Sequence, residues 1–215
     1  MDSPPLAIAC VLKTGVWRGG RYKPEQVLWL KRQVEAHLPL AHRFVCLSDV
    51  DIPGVEVIPL EHGWPGWWSK IELFKHDLGR VLYLDLDTVI VGSLAAMVSH
   101  PHKFTALQAL SREQRRCLNS GVLAWQGPRL DLFEEFARRP AFHMKRCTVK
   151  GNWGDQGFIH HHVGAWEAWQ EILPGAVLSY KLHLEKRLAP PPGASGVCFH
   201  GKPKPRGVNH AWVPK

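Results

Sequence analysis

The chain has 215 residues, is 45% hydrophobic and carries a formal net charge of +8. That is long enough to bury a substantial core in one domain, and no run approaches the roughly 18 apolar residues of a membrane span. Residues 6–12 form an apolar run of only seven, with an aspartate ahead of it where a secretory leader would carry Lys or Arg, so the expectation is a soluble cytoplasmic protein.

The five cysteines, Cys10, Cys46, Cys117, Cys147 and Cys198, are odd in number and contain no C-x-x-C pair. Reduced thiols, some acting as small core hydrophobes, fit that pattern and compartment. The charge is uneven. Residues 1–107 hold 11 basic and 11 acidic side chains, whereas residues 108–215 hold 16 and 8. A basic half points to an anionic partner or simply to a solvated surface.

In chain order, residues 6–12 read as a buried strand and 23–38 as an amphipathic helix with Pro24 in its first turn. Strands are predicted at 42–48 and 55–60, and a helix at 69–78 with Ser69 as N-cap. A strand then ends in Asp85 and Asp87, one at 121–126 follows, and helices are predicted over 129–139 and near 155–162. Such alternation predicts an α/β sandwich around a mostly parallel sheet, Rossmann-like in layout. Residues 188–196 (LAPPPGASG) read as a linker, and no internal repeat is present.

The run VLYLDLDTVIVG (81–92) carries the chemistry. On a strand, positions i and i+2 point the same way, so Asp85 and Asp87 would share a face while Leu86 enters the core. Beyond the carboxyl end of a parallel strand, two such carboxylates suit a hard cation such as Mn²⁺ or Mg²⁺. The triplet alone is weak: a chain with 8 aspartates carries about 0.3 D-x-D triplets by chance. A second one, DVD at 49–51, reads as part of a turn.

Five motifs in order are far more specific: GWWSKIELF (66–74), the 81–92 run, NSGVLAW (119–125), GDQGFI (154–159) and FHGKPKP (199–205). Together they resemble the GT-A glycosyltransferases of family 8, the group of glycogenin and bacterial lipopolysaccharide galactosyltransferases. The resemblance implies one domain, with a donor-binding part over about 1–107 and an acceptor side over about 108–215. It implies transfer of a sugar from a nucleotide-sugar, with UDP as carrier, to an acceptor hydroxyl with retained configuration. Carried over by residue, it places a metal on Asp85, Asp87 and His200. The family histidine of H-x-x-G-x-x-K-P falls at Cys198, so the third ligand is His200 or Cys198. Asp85, Lys70, Gly201 and Lys202 would hold the donor, and Asn119, Asp155 and Gln156 would line the sugar and acceptor side. Lys13, Thr14 and Tyr22, after the first strand, are donor contacts, Tyr22 by stacking.

Two other classes share parts of this pattern. A metal-dependent nuclease or nucleic-acid-binding module would also use paired aspartates and a basic half. A pyrophosphorylase is weakly suggested by GGRYKP (19–24), which lacks the further glycine and the Thr-Arg of that loop. The HHH run at 160–162 is not a metal site, because adjacent helical residues diverge by about 100° each. For the acceptor, basic pairs at 115–116, 138–139, 145–146 and 186–187, interleaved with Trp153, Trp166 and Trp169, suit a polyanion. Hydroxymethylated pyrimidine in DNA is the leading candidate, and a lipopolysaccharide or other glycan is the alternative.

Overall fold

A computed structural model of the chain describes residues 4–15, 22–110, 117–149 and 152–215. Strand β1 (Leu6–Leu12) leads through helix α1 (Pro24–His37) to β2 (Arg43–Ser48) and β3 (Glu56–Pro59). A 3₁₀ helix (Gly66–Lys75) precedes β4 (Arg80–Leu84), β5 (Thr88–Ile90), α2 (Ala95–Ser99), β6 (Phe104–Gln108) and β7 (Leu118–Gln126). Helices α3 (Leu130–Arg138) and α4 (Pro140–Arg146) are followed by the short hairpin of β8 (Thr148–Val149) and β9 (Asn152–Trp153). The chain continues through α5 (Gly154–His162), β10 (Glu167–Ala168), α6 (Trp169–Ile172), β11 (Val177–Ser179) and β12 (Gly196–Cys198).

The main sheet has seven strands in the order β10-β6-β7-β4-β1-β2-β3. Every pairing in it is parallel except those that β7 makes with β4 and β6. The expected mostly parallel α/β sandwich is what forms. A smaller sheet, β11-β12-β5, lies beside it, with β12 antiparallel to β5.

The strands read as continuous apolar runs because both faces of the sheet are covered. Ile8, Cys10 and Leu12 of β1, with Leu82 and Leu84, pack with Val27, Leu30 and Val34 of α1. The alternate positions Ala7, Ala9, Val81, Tyr83, Leu123 and Trp125 pack with Trp68, Ile71 and Phe74 of the 3₁₀ helix and with Phe136 and Phe158. Cys10 and Cys46 are register partners in this interior, and all five cysteines are free.

α1 starts where the sequence predicts. Pro24 occupies its first turn, and the Lys23 backbone N–H donates to Gln26 Oε1 at 2.8 Å. Gln33, buried on this helix, accepts from Ile90 N at 2.9 Å and donates to Trp29 O at 3.1 Å, which ties β5 to α1. Two expectations change. The segment predicted as a helix over 69–78 is a 3₁₀ helix whose N-cap is Pro65, and Ser69 lies inside it, donating to Gly66 O at 2.7 Å. The strand predicted to carry both aspartates ends at Leu84. Residues 85–88 form a turn closed by Thr88 N donating to Asp85 O at 2.9 Å.

Candidate functional site

The turn at 85–88 opens onto a cleft of about 450 Å³ at the carboxyl ends of β1 and β4. The reversal of β7 makes this place. Because β7 runs against β4, its first residues arrive where β4 ends: Leu84 pairs with Val122, and the Asp85 N–H donates to Gly121 O at 2.9 Å. Asn119, Ser120 and Gly121 thereby meet Asp85, 34 positions earlier in the chain as counted from Asn119. On the other flank β12 pairs with β5 so that Cys198 lies opposite Thr88, and Phe199 N donates to Asp87 O at 3.3 Å.

A buried ionic knot supports the cleft floor. The Lys70 ammonium, 4% exposed, lies 2.9 Å from Asp155 Oδ2 and 3.1 Å from Asp85 Oδ1, and donates to Ser120 Oγ and O at 3.0 Å each. Ser120 Oγ donates to Asp155 Oδ2 at 2.6 Å, and Tyr83 OH donates to Asp85 Oδ1 at 2.6 Å. A lone buried ammonium would be costly, and here four acceptor oxygens meet it. Burial pulls the Lys70 pKa down, but Asp155 and Asp85 outweigh it and raise it to about 12. Burial pushes the Asp85 carboxyl up to about 6; Lys70 opposes this, while Asp87 and Asp155 add to it.

Asp87 is held differently. Its Oδ2 accepts from Tyr22 OH at 3.0 Å and from Lys204 Nζ at 2.5 Å, and the Lys204 ammonium lies 5.6 Å from the centre of the Tyr22 ring. Burial, with Asp87 and Asp85 nearby, drives the Tyr22 phenol pKa far above its usual range. Asn119 Oδ1 accepts from Gly121 N at 3.0 Å while its Nδ2 donates to Gln156 Oε1 at 3.1 Å. Gly121 leaves room at this point: an added Cβ would stand 3.1 Å from Asn119 Oδ1 and 3.4 Å from Asp85 Oδ2, so both side chains would have to give by a few tenths of an ångström.

Asp85 and Asp87 offer the oxygen donors that a hard divalent cation takes, although with His200 or Cys198 they do not gather into one three-ligand cluster among the described residues. Asp85 Oδ2 and Asp87 Oδ1 make no hydrogen bond among the described residues, so each aspartate keeps one oxygen for a ligand in the cleft. His200 Nε2 lies 2.8 Å from Ser179 Oγ, the kind of outer contact that orients a ligating imidazole and leaves Nδ1 available. Burial, with Lys181 and Lys204, lowers the His200 pKa and favours the neutral ring, against the pull of Asp87. Cys198 is buried between the aspartates and Thr88; burial, then Asp87 and Asp85, push its thiol far above the usual range, which disfavours the thiolate that a metal would need. Trp67 Nε1 is buried, has no hydrogen-bond partner among the described residues, and belongs to a residue of the cleft wall.

Of the residues singled out in the sequence, Lys13, Tyr22, Lys70, Asp85, Asp87, Asn119, Asp155, Gln156, His200 and Gly201 line the cleft together. Thr14 does not; its backbone N–H and hydroxyl donate to Asp49 at 2.9 Å each, and Lys13 Nζ meets the same carboxylate at 2.8 Å. The DVD turn thus anchors the loop after β1. Lys202 is exposed and outside the cleft, whereas Lys204 lines it. The spacing was legible: Gly201 is followed three positions on by Lys204 and then Pro205, as in G-x-x-K-P. Asp155 lies in the first turn of α5, whose N-cap is Trp153, and turns inward to Lys70.

Tyr83, Ser120 and Trp67 also line the cleft; each lies inside one of the five motifs but looks like ordinary strand or helix sequence until its partners are known. The proposed aromatic interleaving is reduced. Trp153 lines the cleft, but Trp169 is wholly buried with its Nε1 donating to Val122 O at 3.1 Å, and Trp166 packs against the core. Among the described basic pairs none lines the cleft: Arg138 pairs with Glu135, and Arg139 stacks on Phe142. The pair at 115–116 and the glycines at 19–20 lie outside the described residues.

No protein-family profile matches the chain, and no curated protein matches it by sequence. Solved structures do match by shape. An active-site mutant of LgtC superposes with a TM-score of 0.60 at 14% identity, covering 93% of this chain and 89% of the other. The galactosyltransferase LgtC in complex with donor and acceptor sugar analogs gives 0.59 at 15% identity, covering 93% and 88%. The glycosyltransferase GlyE of Streptococcus pneumoniae gives 0.58 at 15% identity, covering 95% of this chain and 57% of its own. The chain therefore has the GT-A, Rossmann-like fold of these glycosyltransferases.

Proposed function

We propose that the protein is a glycosyltransferase that moves a sugar from a nucleotide-sugar, with UDP as carrier, to an acceptor hydroxyl with retention of configuration. The observation that carries this reading is the convergence of Asp85 and Asp87 with Asn119, Gln156 and Lys204 in one cleft of a glycosyltransferase fold. Asp85 and Asp87, with His200 as third ligand, would hold Mn²⁺ or Mg²⁺, which when bound supplies positive charge against the departing diphosphate.

The residues of the chain supply the rest. Lys204, at the cleft rim on Asp87, is placed to shift onto a diphosphate oxygen and offset the charge that develops as the glycosidic bond to phosphate breaks. Lys70 lines the cleft with its ammonium taken up by Asp85, Asp155 and Ser120, so it acts as a positioning residue for those groups. The carboxylate of Asp155 is engaged by Lys70 and Ser120, which disfavours it as a nucleophile. Gln156, linked to Asn119 and facing the cleft, is placed to hold the sugar or the incoming hydroxyl. The leaving phosphate then takes the proton of the acceptor hydroxyl.

For the acceptor, Trp67 and Trp153 provide flat surfaces at the cleft wall, and a basic groove with Lys181, Lys186 and Arg187 lies near Gly201. This favours an acceptor that carries phosphates, with hydroxymethylated pyrimidine in DNA tested first and a phosphorylated glycan as the other outcome. Five free thiols and no described helix long and apolar enough to cross a membrane suit the cytoplasm as its place of work.

The test is a thermal-shift panel with Mn²⁺ and UDP-sugars, a nucleoside triphosphate or DNA, followed by product analysis. A UDP-sugar should stabilise the protein, and proton NMR should show an α-linked product from an α-linked donor. Stabilisation by the triphosphate alone would move the reading to a pyrophosphorylase. DNA hydrolysis without any sugar donor would move it to a nuclease.

A further inference from the structure

We propose that His100, His102 and Glu167 form a second cation site, for a borderline transition-metal ion such as Zn²⁺, at the end of the main sheet opposite the cleft. Among the described residues it is the one place where three His, Cys, Asp or Glu side chains bring ligand atoms within 4.8 Å of one another.

The local backbone produces the cluster. His102 N donates to His100 O at 3.0 Å across Pro101, so the chain turns tightly before β6 and the two imidazole centres stand 4.8 Å apart. Glu167 begins β10, where it is the register partner of Thr105 in β6. Its Oε2 lies 3.5 Å from His100 Nε2. Both histidines precede β6, and β6 is parallel to β4 through the intervening β7, so the cluster lies at the amino ends of the strands. The aspartate cleft lies at their carboxyl ends.

His102 is already oriented as a metal-ligating histidine is. Its Nε2 bonds the Met97 carbonyl at 2.6 Å, so that nitrogen carries the hydrogen and Nδ1 presents a lone pair. Thr105 Oγ1 lies 2.7 Å from Nδ1 and donates to it. An ion at Nδ1 would take the place of this hydroxyl, so the Thr105 side chain must turn about χ1 to admit it. Burial, then His100, lowers the His102 pKa and favours the neutral ring, against the pull of Met97 O and Glu167.

Two imidazole nitrogens and one carboxylate, with water completing a tetrahedron, suit Zn²⁺ far better than Mg²⁺ or Ca²⁺, which prefer all-oxygen shells. An ion there would join the connection before β6 to β10, an edge strand of two residues. The segment after β10 holds Trp169 on Val122 O and Gln170 on the backbone of Gln108, so the clamp would secure that whole sheet edge.

The experiment uses chelator-stripped full-length protein in the Asp87→Asn background, so that failure of the cleft reading and failure of this one are distinguishable. Calorimetric titration with Zn²⁺ alone should show about one ion bound per chain and a raised melting temperature. Mg²⁺ should give neither. Adding His100→Gln and Glu167→Gln should lower Zn²⁺ affinity at least tenfold and remove the shift. Absence of Zn²⁺ binding, or equal binding and shift after those substitutions, overturns the proposal. Should the substituted protein fail to fold, Co²⁺ absorption of the chain that keeps both residues decides: bands of a tetrahedral, nitrogen-ligated ion support the site, and an octahedral aquo-like spectrum overturns it.

Discussion

Lys204 Nζ stands 2.5 Å from Asp87 Oδ2, so an internal ammonium already neutralises the aspartate at which a divalent cation is proposed to bind. The lysine and the cation are therefore competitors for one carboxylate until a diphosphate draws the lysine away. Lys204→Met should tighten Mn²⁺ binding to the nucleotide-free protein several-fold and weaken UDP binding about tenfold, the loss of one charge-assisted contact. Lys202→Met, at an exposed position outside the cleft, should change neither. Titration calorimetry with each ligand measures both effects, and a larger loss of UDP affinity in Lys202→Met would return the diphosphate role to that residue.

Asp87→Asn keeps the shape of the side chain and its hydrogen bonds while removing charge. The fold should survive, and transfer should fall by two or more orders of magnitude. His200→Ala should weaken Mn²⁺ binding, whereas Cys198→Ser should do little, because the Cys198 thiol is held protonated by its surroundings. Circular dichroism and a metal titration check all three. The reverse order of the last two would move the third ligand to Cys198.

Lys70→Met leaves Asp155 buried without its cation. Removing one partner of a buried ion pair costs about 3–5 kcal/mol, so urea denaturation should show a loss of that size. Combining it with Asp155→Asn should recover part of the loss, since Asp155 then no longer carries a buried charge without its cation and only Asp85 does. A simple sum of the two single effects would show that the pair does not interact.

The Asp85 carboxyl, normally near 3.8, is raised to about 6 in the folded chain. The folded protein thus holds a proton in that window which the unfolded chain has released. Its contribution to stability is present below about pH 4 and is lost as pH rises through 6 in the metal-free protein. A cation must displace the same proton. The melting-temperature rise caused by Mn²⁺ should be small near pH 5 and complete by about pH 7.5, as a thermal melt series with and without Mn²⁺ will show. A shift of equal size at both pH values would contradict this.

Gly121→Ala is compatible with the backbone, yet its Cβ would press on Asn119 Oδ1 and approach Asp85 Oδ2. Activity should fall at least tenfold while the melting temperature changes by only a few degrees. A destabilised but fully active variant would show that Asn119 and Asp85 need not hold their present positions.

Much of this protein is local information. The apolar run 6–12, the period of Val27, Leu30 and Val34, and Pro24 at a helix start each follow from backbone sterics and burial within a few residues, and β1 and α1 form close to where those patterns predict. The ordered motifs likewise pointed to most of the residues that meet in the cleft. What tertiary structure decided was pairing and direction. Strand β7 has the same apolar look whichever way it runs; only its reversal against β4 puts Gly121 beside Asp85 and makes Ser120 a partner of Lys70. The turn at 85–88 replaced an expected strand because Asp85 O is taken by Thr88 N, and the following strand pairs with β12 from more than 100 residues later. Lys204 rather than Lys202 reached Asp87 through the path of the chain after Cys198, and Trp169 was claimed by the core through Val122. A sequence states what each residue can donate, accept or bury, but the contact that uses it depends on neighbours distant in the chain, and these are set only when the sheet closes.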